Sequence, residues 1–291
     1  MPSFFKGRLR SSPCGFLKKM YQTILIEPIA NGLILFYRVL WGNMGLAIIT
    51  FTVFLRFLLN PLTKPYFESM KKMKEVGPQL EKIKERHKGD KAKYLKAQAD
   101  FYKEKGVNPG AGCLPYLLQI VVLIAFFNVF SRTLSPGVDS ITKFNELLYP
   151  PLQFSEGETL NTSFLYLNVN EPDVFKVAGL PFPLPGPFLL LAALVQLVSA
   201  KITAPFVEAQ EKAAKKTKEQ SDDIQVAMQQ SMVYTFPLIT LVIGIQFSSA
   251  LVLYWLLFSL FQAVQQYRSS GWGGMTPWLR KVGLLKSQSS K

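Results

Sequence analysis

Apolar residues in this chain gather in long blocks separated by strongly polar stretches. A helix needs about 20 mostly apolar residues to cross a bilayer core of about 30 Å. Met44 to Thr63 (MGLAIITFTVFLRFLLNPLT), Gly112 to Ser131 (GCLPYLLQIVVLIAFFNVFS) and Leu184 to Ala204 (LPGPFLLLAALVQLVSAKITA) each meet that length. Met232 to Gln265 is apolar for 34 residues. One helix of that length would run about 50 Å, so the block reads as two spans. Gly244, Gln246, Ser248 and Ser249 interrupt it, which predicts a short fourth span from Met232 to Ile245, a turn reaching residue 249, and a fifth span from Ala250 to Tyr267. The pattern predicts an all-α integral membrane protein with five transmembrane helices.

The intervening pieces differ in kind. In residues 64–109, Phe67, Met70, Met73, Leu80 and Ile83 recur at helical spacing, interrupted only by Gly77-Pro78; His87 to Asp90 reads as a turn, and Tyr94, Leu95, Gln98 and Tyr102 form a second stripe. An antiparallel helical hairpin with a basic outer face is expected. Residues 132–183 are rich in Pro and Asn without a sustained period, so irregular structure is expected with one short helix near Ile141 to Leu148. Residues 205–231 form a linker whose charged part, Glu208 to Asp223, is expected to be a mobile helix. Residues 268–291 form a basic tail, expected beyond Trp272 to be disordered or held weakly to lipid or the ribosome.

Charge orients these pieces. Of 33 Lys and Arg against 19 Asp and Glu, thirteen lie between Lys64 and Lys105, five in residues 201–222 and five from Arg268 onward, whereas residues 132–183 hold three basic residues against six acids. Basic loops stay in the cytoplasm, so the hairpin, linker and C-terminus are placed inside and residues 132–183 outside. The excess needs no nucleic acid. Residues 1–43 object, because Lys6, Arg8, Arg10, Lys18 and Lys19 favour the inside and would draw Ile24 to Leu40 across as a sixth span. Glu27, Pro28, Asn31 and Arg38 make that segment a poor span, so an amphipathic helix lying on the outer surface is preferred. No signal-peptide core with a cleavage site is visible there.

Little chemistry is on offer. Hydrophobic residues make up 49% and charged ones 18%, which excludes disorder and an ordinary soluble domain. Cys14, Cys113 and His87 cannot build a disulfide framework or a His/Cys metal site, and His87 reads as a polar turn residue. Gly271 to Gly274 (GWGG) follows no strand, so it reads as a structural turn and not a phosphate loop. No cofactor, metal or catalytic group is expected.

Arg56 is the exception to the apolar pattern. It stands thirteen residues into the first span, where insertion scales put an arginine at about +2.5 to +3.5 kcal/mol. Thr52, Arg56 and Asn60 share one face, and none of the five spans contains an acid to pair with it. Water, carbonyls, amides or a transient partner must meet its donors, which points to a wet cavity. Gln119 in the second span, Gln196 and Ser199 in the third, and Trp255, Ser259, Gln262 and Gln266 in the fifth supply candidate walls. Such amides and hydroxyls also bind helix to helix, and for Gln196 and Ser199 the two roles stand level.

Five stretches carry a resemblance: GNMGLAIITFTVFLRFLLNPLTKP, MKKMKEVGPQLEKIKERHK, GVNPGAGCLPYLLQ, MVYTFPLITLVIGIQFSSALVLYW and FQAVQQ. Taken in order, over residues 28 to 268, they resemble the YidC family of membrane protein insertases in its compact five-span form. The resemblance implies an outer interfacial helix, five core spans, a cytoplasmic helical hairpin and a hydrophilic groove open to cytoplasm and lipid and closed to the outside. It implies a multi-pass protein of the plasma or inner membrane that inserts and folds nascent membrane proteins without nucleotide hydrolysis, alone or beside the Sec translocon. Arg56 falls where the family's groove arginine lies, Gln119 at its groove glutamine and Trp255 at the aromatic of the fifth span. Val121 stands where many relatives have proline and Leu260 where they have asparagine; neither departure removes a groove residue.

The mechanism so implied holds the polar flank of a nascent segment among amides, hydroxyls and the field of Arg56 while the apolar segment moves sideways into lipid. Two other classes remain in view, a small-solute secondary transporter and a structural scaffold. The transporter is disfavoured because no intramembrane acid and no inverted repeat is found.

Overall fold

The computed structural model describes residues 13–87, 89–107, 114–203 and 220–284. The first cations of the N-terminal segment, Lys88 of the expected turn, Cys113, most of the Glu208–Asp223 linker and the last cations of the tail lie outside the described residues. Nearly all the regular structure is helical. Helix α1 (Pro13–Tyr21) runs through a π turn (Gln22–Ile26) into α2 (Glu27–Val39). Ile26, Ile29, Ala30, Leu33, Ile34 and Tyr37 of this stretch are buried, a stripe at helical spacing laid against α3 (Met44–Arg86). Asn43 caps α3, its side chain accepting from the Leu46 amide at 3.0 Å.

Helix α3 is 43 residues long, about 65 Å at 1.5 Å per residue, and runs from the first apolar block straight into the basic arm. The expected break at Gly77-Pro78 is not there: the helix passes through Pro61, Pro65 and Pro78 without ending. Each proline removes one ladder bond, but Lys, Glu, Met, Leu and Gln on either side are strong helix formers, and Gly77 and Pro78 leave the surface open enough for water to meet the freed carbonyl. Helix α4 (Lys91–Glu104), capped by Asp90 through the Lys93 amide, returns alongside and completes the hairpin.

Helix α5 (Leu114–Thr133) leads into a loop that is more ordered than its sequence suggests. It holds α6 (Ser140–Asn145), a 3-10 turn at Pro150–Leu152, and two antiparallel ribbons, β1 (Ser163–Phe164) with β2 (Leu167–Asn168) and β3 (Val174–Phe175) with β4 (Leu184–Pro185). The remaining helices are α7 (Pro187–Thr203), α8 (Gln220–Gly244), α9 (Ser249–Ser270) and the short α10 (Thr276–Lys281). Met44–Leu62 and Ser249–Ser269 are long and apolar enough to cross a membrane, while Leu118–Thr133, Pro187–Thr203 and Val233–Gly244 are shorter apolar stretches.

The loop closes one end of the bundle by capping three helices. The Asn161 carbonyl accepts from the Met44 amide at 3.1 Å, and the Val169 and Glu171 carbonyls accept from the Ala250 and Ser249 amides at 3.0 and 2.8 Å. Asp173, buried, takes the Leu189 amide at 2.9 Å and the Tyr166 hydroxyl at 3.3 Å. Gly186 approaches the Asp173 carboxylate so closely that a β-carbon would collide with it. Asn31 of α2 donates to the Leu147 carbonyl at 2.9 Å and accepts from the Tyr149 amide at 2.7 Å, which ties the helix pair α1–α2 to the same end. Six first-turn amides that these helices leave unpaired, those of Met44, Leu46, Phe188, Leu189, Ser249 and Ala250, thereby find acceptors.

At the other end the chain beyond Trp272 corrects the expectation of disorder as far as residue 284. Gly271, at φ +70°, ends α9, and Gly273 turns the chain back. Met275, Trp272 and Leu279 pack on Val198 and Ile202 of α7 and Ala263 of α9. The Lys201 ammonium lies over the rings of Tyr234 and Trp278, 5.5 and 5.0 Å from their centroids. GWGG is thus the hinge of a fold-back, as a structural turn requires.

Candidate functional site

Arg56 lies in the thirteenth position of α3, where one turn earlier every side chain facing the bundle is buried and from Phe54 to Leu62 none is. Its Nη2 donates to Oε1 of Gln119 on α5 at 3.3 Å. The Gln119 Nε2 donates in turn to the Tyr254 hydroxyl on α9 at 2.8 Å. The guanidinium carbon sits 3.8 Å from the centroid of Phe258, one turn further along α9. Tyr254 is only 3% exposed and stacks on Phe126 of α5, their centroids 4.2 Å apart. Three helices therefore meet at one arginine through an amide, a phenol and a ring.

These partners account for an arginine among apolar residues without an acid. At a span centre the residue costs about 2.5 to 3.5 kcal/mol. A hydrogen bond to a charged group returns about 1.5 to 3 kcal/mol, and a desolvated cation–π contact about 2. Amide and ring thus offset the burial while leaving the positive charge uncancelled, since among the described residues Arg56 forms no ion pair. A bound anion would gain from that field.

The other candidates fall into separate groups. Thr52 is buried and its hydroxyl turns back to the Ile48 carbonyl at 2.6 Å. Asn60, one turn beyond Arg56, accepts from Gln265 Nε2 at 2.8 Å, a second tie between α3 and α9. Trp255 and Gln262 are half-buried, the first against the main core, while Ser259 and Gln266 are buried. Gln196 accepts from the Thr240 hydroxyl at 2.6 Å and so joins α7 to α8, and Ser199 is buried on the same helix. Tyr254, Phe258 and Gln265 were not singled out by the sequence. A signal was present for Tyr254, because a phenol in mid-span must find a polar partner.

Burial grades across the site. Towards the loop end, Met44, Ala47, Ile48 and Phe51 of α3, Ala125, Phe126, Val129 and Phe130 of α5, and Ala250 to Tyr254 of α9 form one core with Leu33, Ile34 and Leu189. Towards the hairpin end α7 and α9 keep burying side chains at Ser199, Ile202, Ser259, Ala263 and Gln266, but α3 beyond Thr52 and α5 from Leu118 to Ile124 bury none. Arg56 and Gln119 stand on the open side of that boundary, with Tyr254 on the closed side.

Apolar helices around a core that opens at a cationic, amide-lined cluster define a helical membrane protein with a polar interior. Residues 35–271 match the 60Kd inner membrane protein family, and the chain belongs to that family, which places it in the cell inner membrane. It is similar to proteins named membrane protein insertase YidC: 32% identical over 226 residues to that of Fusobacterium nucleatum subsp. nucleatum, covering 78% of this chain and 85% of the relative. It is 30% identical over 246 residues to that of Pelobacter propionicus, covering 84% of this chain and 38% of the relative. With that of Caulobacter vibrioides it shares 43% identity over 108 residues, 37% of this chain and 17% of the relative. The chain thus spans most of the first relative and well under half of the other two.

Proposed function

We propose that this protein is a membrane protein insertase whose clients are nascent membrane proteins. The apolar part of α3 with α5, α7, α8 and α9 forms five spans, α1–α2 lies on the outer surface, and the hairpin and C-terminus are cytoplasmic. The groove runs from the hairpin end to Arg56 between α3, α5 and α9 and is closed outward by the capped loop. Thr52, Arg56, Asn60, Gln119, Gln196, Trp255, Ser259 and Gln262 were its expected lining. We centre it on Arg56, Gln119, Tyr254 and Phe258, with Gln262 along the way in and Trp255 one turn nearer the loop end, against the core. A client's polar flank exchanges bulk water for the Gln119 amide and the Arg56 field, which lowers the cost of crossing, and its apolar segment leaves between α3 and α5 into lipid. No nucleotide is hydrolysed, and the Sec translocon and the ribosome meet the protein at its cytoplasmic face.

The observation that carries this reading is the uncancelled Arg56 at the boundary where α3 and α5 stop burying side chains. A photo-crosslinker at Gln119 or Gln262 is expected to capture a ribosome-stalled client whose first span is emerging. One at Val242, exposed on the apolar α8, should capture little. Lengthening the client by about 20 residues, one full span, should move the adducts off Gln119. Equal adducts at groove and control positions at every length would sink the insertase reading and favour a scaffold.

A further inference from the structure

Only two described residues other than glycine have a left-handed backbone, Trp41 at φ +51° and Leu165 at φ +53°. They are also the two most exposed large apolar side chains among the described residues, at 87% and 80%. Bulky side chains avoid this region of backbone space, and the first residue of a two-residue ribbon turn with positive φ is ordinarily glycine. Leu165 fills that place between β1 and β2. Around Trp41 the Gly42 amide bonds the Tyr37 carbonyl at 3.0 Å and the Asn43 amide bonds the Leu40 carbonyl at 3.2 Å, while Leu165 is held in the turn by the pairing of Phe164 with Leu167. Strain is thus accepted at two places where an apolar side chain is held away from the protein.

The two places are at one end of one helix. Trp41 precedes the start of α3 by three residues, and Asn43 Nδ2 donates to the Ser163 carbonyl at 3.0 Å, which brings the β1–β2 turn to the same point. Phe164 lies against Gly45, where a β-carbon would collide with its ring. The second ribbon repeats the arrangement beside α7, with Phe175 and Phe182 exposed next to a helix that begins at Pro187. Below Trp41 the surface of α3 continues with exposed Leu46, Phe54, Phe57 and Leu58.

We propose that Trp41 and Leu165, with Phe175 and Phe182 beside α7, form an apolar fringe that enters the headgroup region of the outer lipid leaflet and sets the depth of the bundle. The occupant follows from position. If α3 and α7 span the bilayer, the fringe stands at the level where each enters the headgroups, and that level favours a tryptophan ring and a leucine over water or a charged partner. The inference rests on the spanning role of α3 argued above.

The test uses the full chain with Cys14 and Cys113 replaced by serine, an environment-sensitive fluorophore on one introduced cysteine, and vesicles of phosphatidylcholine and phosphatidylglycerol. Probes at Trp41→Cys and Leu165→Cys should lose emission to lipids that carry a nitroxide near the headgroup and be shielded from aqueous iodide. A probe at Ser155→Cys, exposed in the same loop, should show the reverse. A probe at Phe57→Cys should be quenched by a nitroxide deep in the acyl chain. Iodide quenching at 41 and 165 equal to that at 155 overturns the fringe while a deeply quenched Phe57→Cys keeps α3 as a span. Protection of 41 and 165 from both quenchers means that protein covers them, a second copy or another chain, and overturns it as well. An unquenched Phe57→Cys overturns the spanning role of α3 and the fringe together.

Discussion

The loop end and the hairpin end of this bundle use the same helices to opposite effect. At the loop end α2, α3, α5, α7 and α9 share one dry core, and the loop meets the first-turn amides of three helices. At the hairpin end α7 and α9 stay packed and are covered by the tail, whereas α3 and α5 stop burying side chains just where Arg56 and Gln119 appear. A dry core needs shape, and Phe126 on Tyr254 supplies it. An open polar half needs only enough partners to keep a charge in place, and one amide and one ring suffice. The difference teaches that stability and the proposed activity are separated along the helices, so substitutions in the two halves should fail in different ways.

The largest expected effect is at the loop end. Phe126 is fully buried and packs on Phe51, Phe130 and Tyr254, so Phe126→Ala should lower unfolding free energy by about 3 to 5 kcal/mol. Denaturation in detergent followed by tryptophan fluorescence reads this directly. A loss below about 1 kcal/mol would mean that the two halves do not differ in packing.

Arg56 should behave in the opposite manner. Attraction between its charge and an acidic flank about 4 Å away lies between about 1 and 4 kcal/mol, the limits set by water and by a protein surface. Arg56→Ala should therefore slow insertion of acid-flanked clients by about fivefold or more, Arg56→Glu should slow it further, and Arg56→Lys should keep much of it, all with a stability change far smaller than that of Phe126→Ala. An in vitro insertion assay with paired acidic and neutral clients checks this. Equal insertion by Arg56→Ala would remove the electrostatic role.

The smallest effect lies in the hairpin. The Lys93 amide and side chain hold the Asp90 carboxyl below its ordinary range. A carboxyl depressed on folding adds stability above its unfolded pKa of about 3.9, and that contribution disappears as pH falls through the folded value. Hydrogen exchange of the α4 amides should be faster in Asp90→Ala than in wild type at neutral pH, and the difference should close as the pH falls below the ordinary carboxylate range. A difference that persists there would show that charge is not what caps the helix.

The sequence carried the helices and the two groups that matter most in the site, but not their surroundings. Long apolar blocks leave little choice of structure, and an arginine inside one is conspicuous, as is a glutamine at Gln119. Phe258 is invisible by the same logic, because a phenylalanine in an apolar block looks like every other. Helical spacing also could not tell Gln265, which bonds Asn60, from Gln262 and Gln266 beside it. The ribbons were missed because each strand is two residues long, too short to show a repeating pattern. The tail was missed because Trp272, Met275 and Leu279 are too few and too irregularly spaced to announce a face, and only the presence of α7 and α9 gives them one.

The central claim, a bundle closed at the loop end and open to water from the hairpin end as far as Gln119, is tested most directly by a single Gln119→Cys in a chain lacking Cys14 and Cys113. In sealed inside-out vesicles it should react with a membrane-impermeant thiol reagent and be protected by a stalled client; in right-side-out vesicles it should stay unreactive while Ser155→Cys is labelled. Labelling of Gln119→Cys from the Ser155 side, or from neither side, would contradict the account.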